Sequence, residues 1–151
     1  MSLTIVIPVY NEAQSLQPLV EGIERHAADV PHRILLVDDG STDGSWACML
    51  KLRENRQNLD AVRLRRNFGK TVALRVGFDR ARGDRVITMD GDLQDDPAEI
   101  PRMLAKLAEG YDLVSGWKQK RHDPWHKTIP SRVYNGWVCR LFGMGLHDVN
   151  S

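Results

Sequence analysis

Four carboxylates fall within seven residues of the stretch TMDGDLQDDP (residues 88–97): Asp90, Asp92, Asp95 and Asp96. Like charges at this density call for a counter-ion or a positive helix end. In an extended segment, residues two apart point the same way, so Asp90 and Asp92 can approach one ion together. Oxygen donors with no His or Cys beside them suit Mg²⁺ or Mn²⁺ rather than zinc. Mg²⁺ takes one or two carboxylates and fills its shell with waters and substrate phosphates. The plainer reading is a solvated acidic turn. The strand pattern before the acids and Gln94 after them favour the metal-binding one. Asp95 and Asp96 precede Pro97 and are expected to cap a helix that starts there.

A second cluster, VDDGSTDGS (residues 37–45), places Asp38 and Asp39 at the end of an apolar run. Ionised carboxylates only accept hydrogen bonds, which fits a base or ribose. A turn with a helix cap explains the same residue types, and paired acids also begin phosphoacceptor receiver domains. A third stretch, SGWKQKRHDPWHKTIPSR (residues 115–132), carries Lys118, Lys120, Arg121, Lys127 and Arg132, which can grip phosphates or simply solvate a loop. His122, His126 and His147 have no metal-ligand spacing. Further on, Ile129, Val133, Trp137 and Leu141 recur at every fourth residue, joined by Tyr134 and Val138. That face suits a helix lying on a membrane or one packed against protein.

The elements that must position these residues alternate. Buried strands are expected at residues 3–9, 33–38 and 84–90, with shorter ones at 60–65 and 111–117. Helices are expected at about 13–28, 43–56, 69–82 and 97–109. Start signals are Asn11 with Glu12, residues 41–43, and Asp96 before Pro97. Strand–helix alternation implies an α/β fold: a mostly parallel sheet covered by helices on both faces. Ligands of such sheets bind beyond the carboxyl ends of the strands. PVYNE (residues 8–12), the acids at 38–43 and the acids at 90–96 all fall on that rim.

At 151 residues the chain fits one domain. Its +1 net charge, with an acidic cluster between two basic ones, argues against nucleic-acid binding and suits an anion that carries a metal. Cys48 and Cys139 are too few for a disulfide framework and read as reduced packing residues of a cytosolic chain. The first residues lack the basic start and apolar length of a signal peptide, and no apolar run approaches a membrane span. PVYNE stands where a dehydrogenase would carry GxGxxG.

Five segments in order, PVYNE, VDDGSTD, RNFGKTVAL, DGDLQDDP and SGWKQKRHDP, resemble the inverting family 2 glycosyltransferases of the GT-A fold. The resemblance is closest to polyprenyl-phosphate sugar transferases of the dolichol-phosphate-mannose synthase type. It implies a Rossmann-like nucleotide-diphospho-sugar transferase fold and transfer of a sugar from a UDP- or GDP-linked donor to a polyprenyl phosphate. A family 2 transferase acting on a saccharide hydroxyl, or a donor-binding module without turnover, are the other readings it leaves. It implies that Pro8, Tyr10, Glu12, Asp38, Asp39, Lys70, Asp90 and Arg132 bind substrate, and that Asp90, Asp92 and Gln94 hold Mg²⁺ or Mn²⁺. Asp92, Arg121 and Asp148 would be catalytic: Asp92 as the central ligand, Arg121 facing phosphate, Asp148 positioning the acceptor or acting as a base. It further implies a catalytic domain over residues 1–151, cut before the end of the acceptor loop and the C-terminal membrane helices. Such an enzyme would work at the cytoplasmic face of a membrane, with self-association open.

Overall fold

The computed structural model describes residues 2–116. β1 (Leu3–Val9), β2 (His32–Asp38), β3 (Leu59–Arg63) and β4 (Arg85–Thr88) alternate with helices α1 (Leu16–His26), α2 (Ser45–Glu54) and α3 (Lys70–Arg80). A 3-10 turn at Pro97–Glu99 then leads into α4, Ile100–Ala108. The strands form a parallel sheet in the order β3-β2-β1-β4. Leu3 pairs in register with His32 on one side and Arg85 on the other.

The expected helices and four of the five expected strands are present. The fifth is not: Tyr111 to Gly116 are outside any strand, and Leu113 is 83% exposed. Alternating hydrophobicity is not enough for a strand, which exists only through a ladder partner. Two helix starts also differ from expectation. Ser15 and Gly44 are the N-caps of α1 and α2, and neither makes a side-chain capping bond.

β1 is central, so nearly all of its residues are buried whichever face they point to. On one face Leu3, Ile5, Ile7, Ile34, Leu36 and Ile87 pack under Leu16, Leu19 and Ile23 of α1 and Met49 of α2, with Ile100 closing the cluster. Across the sheet, Val6, Leu35 and Val37 meet Ala73 of α3. That contact is close because Gly77 has no side chain: a Cβ there would lie 2.2 Å from Val6 Cγ1. Thr4, fully buried, both donates to the Arg82 carbonyl and accepts from its amide, so its hydroxyl is not stranded. Cys48 is a free, half-buried thiol; Cys139 lies outside the described residues.

The chain divides into two compact units at Ala105 and Lys106. The first carries the whole sheet. In the second, the described residues include Lys106, whose Nζ is 2.7 Å from Glu109 Oε2. The order β3-β2-β1-β4 means that the chain steps outward twice and then returns to the other side of β1. The crevice between the carboxyl ends of β1 and β4 is therefore a topological switch point, where such sheets hold ligands.

Candidate functional site

That crevice holds a cleft of about 290 Å³ lined by Pro8, Val9, Tyr10, Glu12, Asp39, Asn67, Gly69, Lys70, Asp90, Gly91 and Asp92. Every lining residue follows or ends a strand. A larger open concavity, about 440 Å³, lies at the opposite rim between α2 and β3 and presents charged tips such as Arg53, Glu54 and Asp60. The amino-terminal rim is not where parallel sheets bind ligands, so the smaller cleft is the candidate.

The floor and walls are held by loop-to-loop bonds. Asn11 adopts φ +58, a left-handed conformation that Asn tolerates, and turns its side chain toward the next loop. Its Oδ1 accepts from the Thr42 amide at 2.9 Å, while its own amide donates to Ser41 Oγ at 3.0 Å. The Glu12 amide donates to Ser45 Oγ at 2.8 Å, and that hydroxyl donates onward to Asp43 Oδ1. Asp43 is exposed, and its carboxyl is held below its usual value chiefly by the Ser45 hydroxyl. Hence residues expected to be helix caps tie PVYNE to VDDGSTD, and of these Asp43 also accepts from the Ser45 amide at the start of α2, at 2.8 Å.

Asp38 and Asp39 divide the work of the second cluster. Asp38 is fully buried beneath the cleft, its Oδ1 accepting from the Ser41 amide at 2.8 Å. Arg63 Nε lies 3.1 Å from Asp38 Oδ2, yet that oxygen has no partner at hydrogen-bond angles. The contact is a charge–charge pairing, because proximity of the guanidinium offsets a buried charge even off-axis. Arg63 is steadied by the Trp46 ring, 5.6 Å from its guanidinium carbon. Asp39 is 3% exposed, and its two oxygens accept from the Phe68 and Gly69 amides, each at 2.8 Å. It both lines the cleft and clamps the β3–α3 loop.

The acidic loop is a turn, not the extended segment expected. β4 ends at Thr88, and Leu93 sits at φ +65, strained for a bulky residue. The turn closes on itself: Asp95 Oδ2 accepts from the Asp90 amide at 2.8 Å, and Asp92 Oδ1 from the Gln94 amide at 3.0 Å. Asp95 therefore braces the loop, while Asp96 alone caps the following turn through the Ala98 amide at 2.9 Å. Asp90 and Asp92 both reach the cleft; Gln94 is exposed and does not line it. Lys70 Nζ lies 2.7 Å from Asp90 Oδ1, joining the start of α3 to the acidic loop.

Among the described residues no three acidic, His or Cys side chains converge as a complete metal cage. Two hard carboxylates at an open cleft are still the donor set that Mg²⁺ or Mn²⁺ shares with a phosphate ligand. Arg121, Arg132 and Asp148, with the basic stretch and the apolar helical face, lie outside the described residues. Asn67 and the pairing of Lys70 with Asp90 were not anticipated from the sequence. The rim rule, applied to β3 as it was to the other three strands, places Asn67 and Lys70 at the cleft, but not the pairing itself.

Comparison with known proteins gives a consistent result. The model of Glycosyl transferase family 2 matches residues 4–146. A dodecaprenyl-phosphate galacturonate synthase of Rhizobium johnstonii is 44% identical over 98% of this chain and 45% of its own. An undecaprenyl-phosphate 4-deoxy-4-formamido-L-arabinose transferase of Proteus mirabilis is 38% identical, covering 97% of this chain and 46% of its own. The chain thus spans about half the length of the curated relatives it matches. Among solved structures, S. aureus TarS 1-349 superposes with a TM-score of 0.63 at 23% identity, over 82% of this chain and 38% of that one. That likeness concerns the fold. A mannosyltransferase of Pyrobaculum calidifontis, solved with GDP-Man and Mn²⁺, gives 0.55 at 28% identity, over 60% of this chain and 27% of that one.

Proposed function

This chain belongs to glycosyl transferase family 2, and from that premise we propose that it carries the donor-binding half of a polyprenyl-phosphate sugar transferase. The donor is a UDP- or GDP-linked sugar, and Asp90 and Asp92 hold Mg²⁺ or Mn²⁺ against its diphosphate. The observation that carries this reading is the cleft itself. Two carboxylates of the β4 loop stand opposite Lys70 and the amino-terminal end of α3. Diphosphate with a divalent ion is the ligand that needs both signs of charge in one crevice. The family membership and the two polyprenyl-phosphate relatives support the acceptor class.

The chain's residues have distinct tasks in this reading. Pro8, Tyr10 and Glu12 form the wall for the base and ribose, on a loop fixed by Asn11 and Ser45. Asp39 keeps the loop of Asn67, Gly69 and Lys70 at the cleft edge, and Asp38 keeps Asp39's own loop in place. Lys70 and the first turn of α3 supply positive potential where charge builds on the leaving diphosphate. The divalent ion, when bound, supplies Lewis-acid stabilisation of that same charge. A phosphate acceptor, with a second pKa near ~6, is already ionised at neutral pH and hardly needs a base. Arg121, Arg132 and Asp148 are assigned to the acceptor side, with Arg121 and Arg132 meeting its phosphate. The acceptor is lipid-borne, so transfer is assigned to a membrane face, the cytoplasmic one in this reading. Among the described residues no helix is long and apolar enough to cross a membrane.

Titration calorimetry of UDP and of GDP, each with and without Mn²⁺, tests this directly. Asp92→Asn is expected to lower the Mn²⁺-dependent affinity at least about tenfold. Unchanged affinity would remove Asp92 from the metal site.

A further inference from the structure

We propose that Lys70 and Asp90 form an exchangeable ion pair: the divalent ion displaces the Lys70 ammonium from Asp90, and the ammonium passes to the donor diphosphate. This deepens the donor-site reading above and rests on it. Among the described residues, four carboxylates line the cleft, those of Glu12, Asp39, Asp90 and Asp92, against one cationic side chain, Lys70. The Asp39 carboxylate is already engaged by two backbone amides. The Lys70 ammonium sits directly on Asp90, 2.7 Å from Oδ1, and so engages a carboxylate that would also hold the metal.

Four features make the pair easy to exchange. Its side chains are 48% and 25% exposed, and partly exposed pairs of this kind are worth only about two- to fivefold in an equilibrium. A divalent ion brings twice the charge and can engage Asp92 as well, so it competes well for Asp90. Lys70 is also the first residue of α3, and no acidic residue lies in that first turn. A cation there opposes the helix dipole, whereas an anion beside it is favoured by both the dipole and the ammonium. Lysine's long flexible stem allows the move without moving the backbone. The pair thus keeps the acidic loop neutralised until donor and metal arrive, and the same two charges then serve both.

The exchange predicts effects of opposite sign from one substitution. Mn²⁺ binding to the 151-residue chain is measured alone, by electron paramagnetic resonance. UDP and GDP binding is then measured by calorimetry at saturating Mn²⁺. Lys70→Met should bind Mn²⁺ alone about two- to fivefold more tightly, because the competing ammonium is gone. It should bind UDP or GDP about tenfold more weakly, for want of one charge-assisted bond. Lys70→Gln should repeat both shifts should the Met variant fold poorly, and Lys70→Arg should stay nearer the parent. A Mn²⁺ affinity that falls or stays constant in Lys70→Met and Lys70→Gln would show a fixed pair and overturn the exchange. So would undiminished nucleotide affinity. A parent chain with no Mn²⁺-dependent UDP or GDP binding overturns the donor-site reading and the exchange together. A parent that does bind, with variants shifted in one direction for both ligands, overturns the exchange alone.

Discussion

Asp39→Asn separates a scaffold role for this carboxylate from a ligand role. The side chain is 3% exposed, and each oxygen accepts one backbone amide at 2.8 Å, from Phe68 and from Gly69. An amide side chain of nearly the same shape keeps one acceptor but turns an NH₂ group toward the other backbone N–H. One charge-assisted bond is lost, the second is reduced to neutral strength, and a donor is left facing a donor. Losses of this kind cost about 2–3 kcal/mol, and burial leaves little solvent screening to soften them. For a chain of this length that corresponds to a melting point lowered by about 5–10 °C. The assay is thermal unfolding of the parent and variant chains without ligand, alongside hydrogen exchange of the Phe68 and Gly69 amides. Both amides should exchange faster in the variant. Nucleotide binding should weaken as well, because the loosened loop carries Asn67, Gly69 and Lys70 to the cleft. A melting point within about 1 °C of the parent, with nucleotide binding lost, would refute the clamp and make Asp39 a direct ligand of the base or ribose.

Two further outcomes test the frame around the site. Gly77→Ala would place a Cβ 2.2 Å from Val6 Cγ1, on a stiff, fully buried side chain. Overpacking of about 1–3 kcal/mol outweighs the roughly 1 kcal/mol helix-propensity gain, so urea unfolding should show net destabilisation, and Val6→Ala in the same chain should offset part of it. Asp43 has a folded-state pKa below its ordinary value, chiefly through the Ser45 hydroxyl, with the Ser45 and Ala13 amides adding and burial opposing. Its stabilisation is therefore present above the ordinary carboxylate range and is lost as the pH falls through the depressed value. The melting-point gap between the parent and Asp43→Asn should be open near about pH 6 and close toward about pH 3. A gap independent of pH would rule out the charged bond.

The alternation of strands and helices is legible in the residues alone, and with it a parallel sheet and the rim on which ligands bind. These follow from local rules: apolar runs of strand length, helical spacing, Pro97 at a helix start, polar clusters after each run. The sequence also carried, in five ordered segments, the resemblance that family membership later matched. How the polar residues share their work emerges only in the folded chain. Asn11 and Thr42 are 31 residues apart, Asp39 and Phe68 are 29 apart, and Lys70 and Asp90 are 20 apart. No pattern of spacing shows that one acid clamps a loop, another pairs with a lysine and a third braces a turn. Asp95 and Asp96 make the point most simply: two adjacent, identical residues, one holding the acidic loop closed and the other capping the next turn. A carboxylate's role depends on which donors the folded chain brings within about 3 Å of it, and those donors come from distant loops that meet only once the sheet has formed.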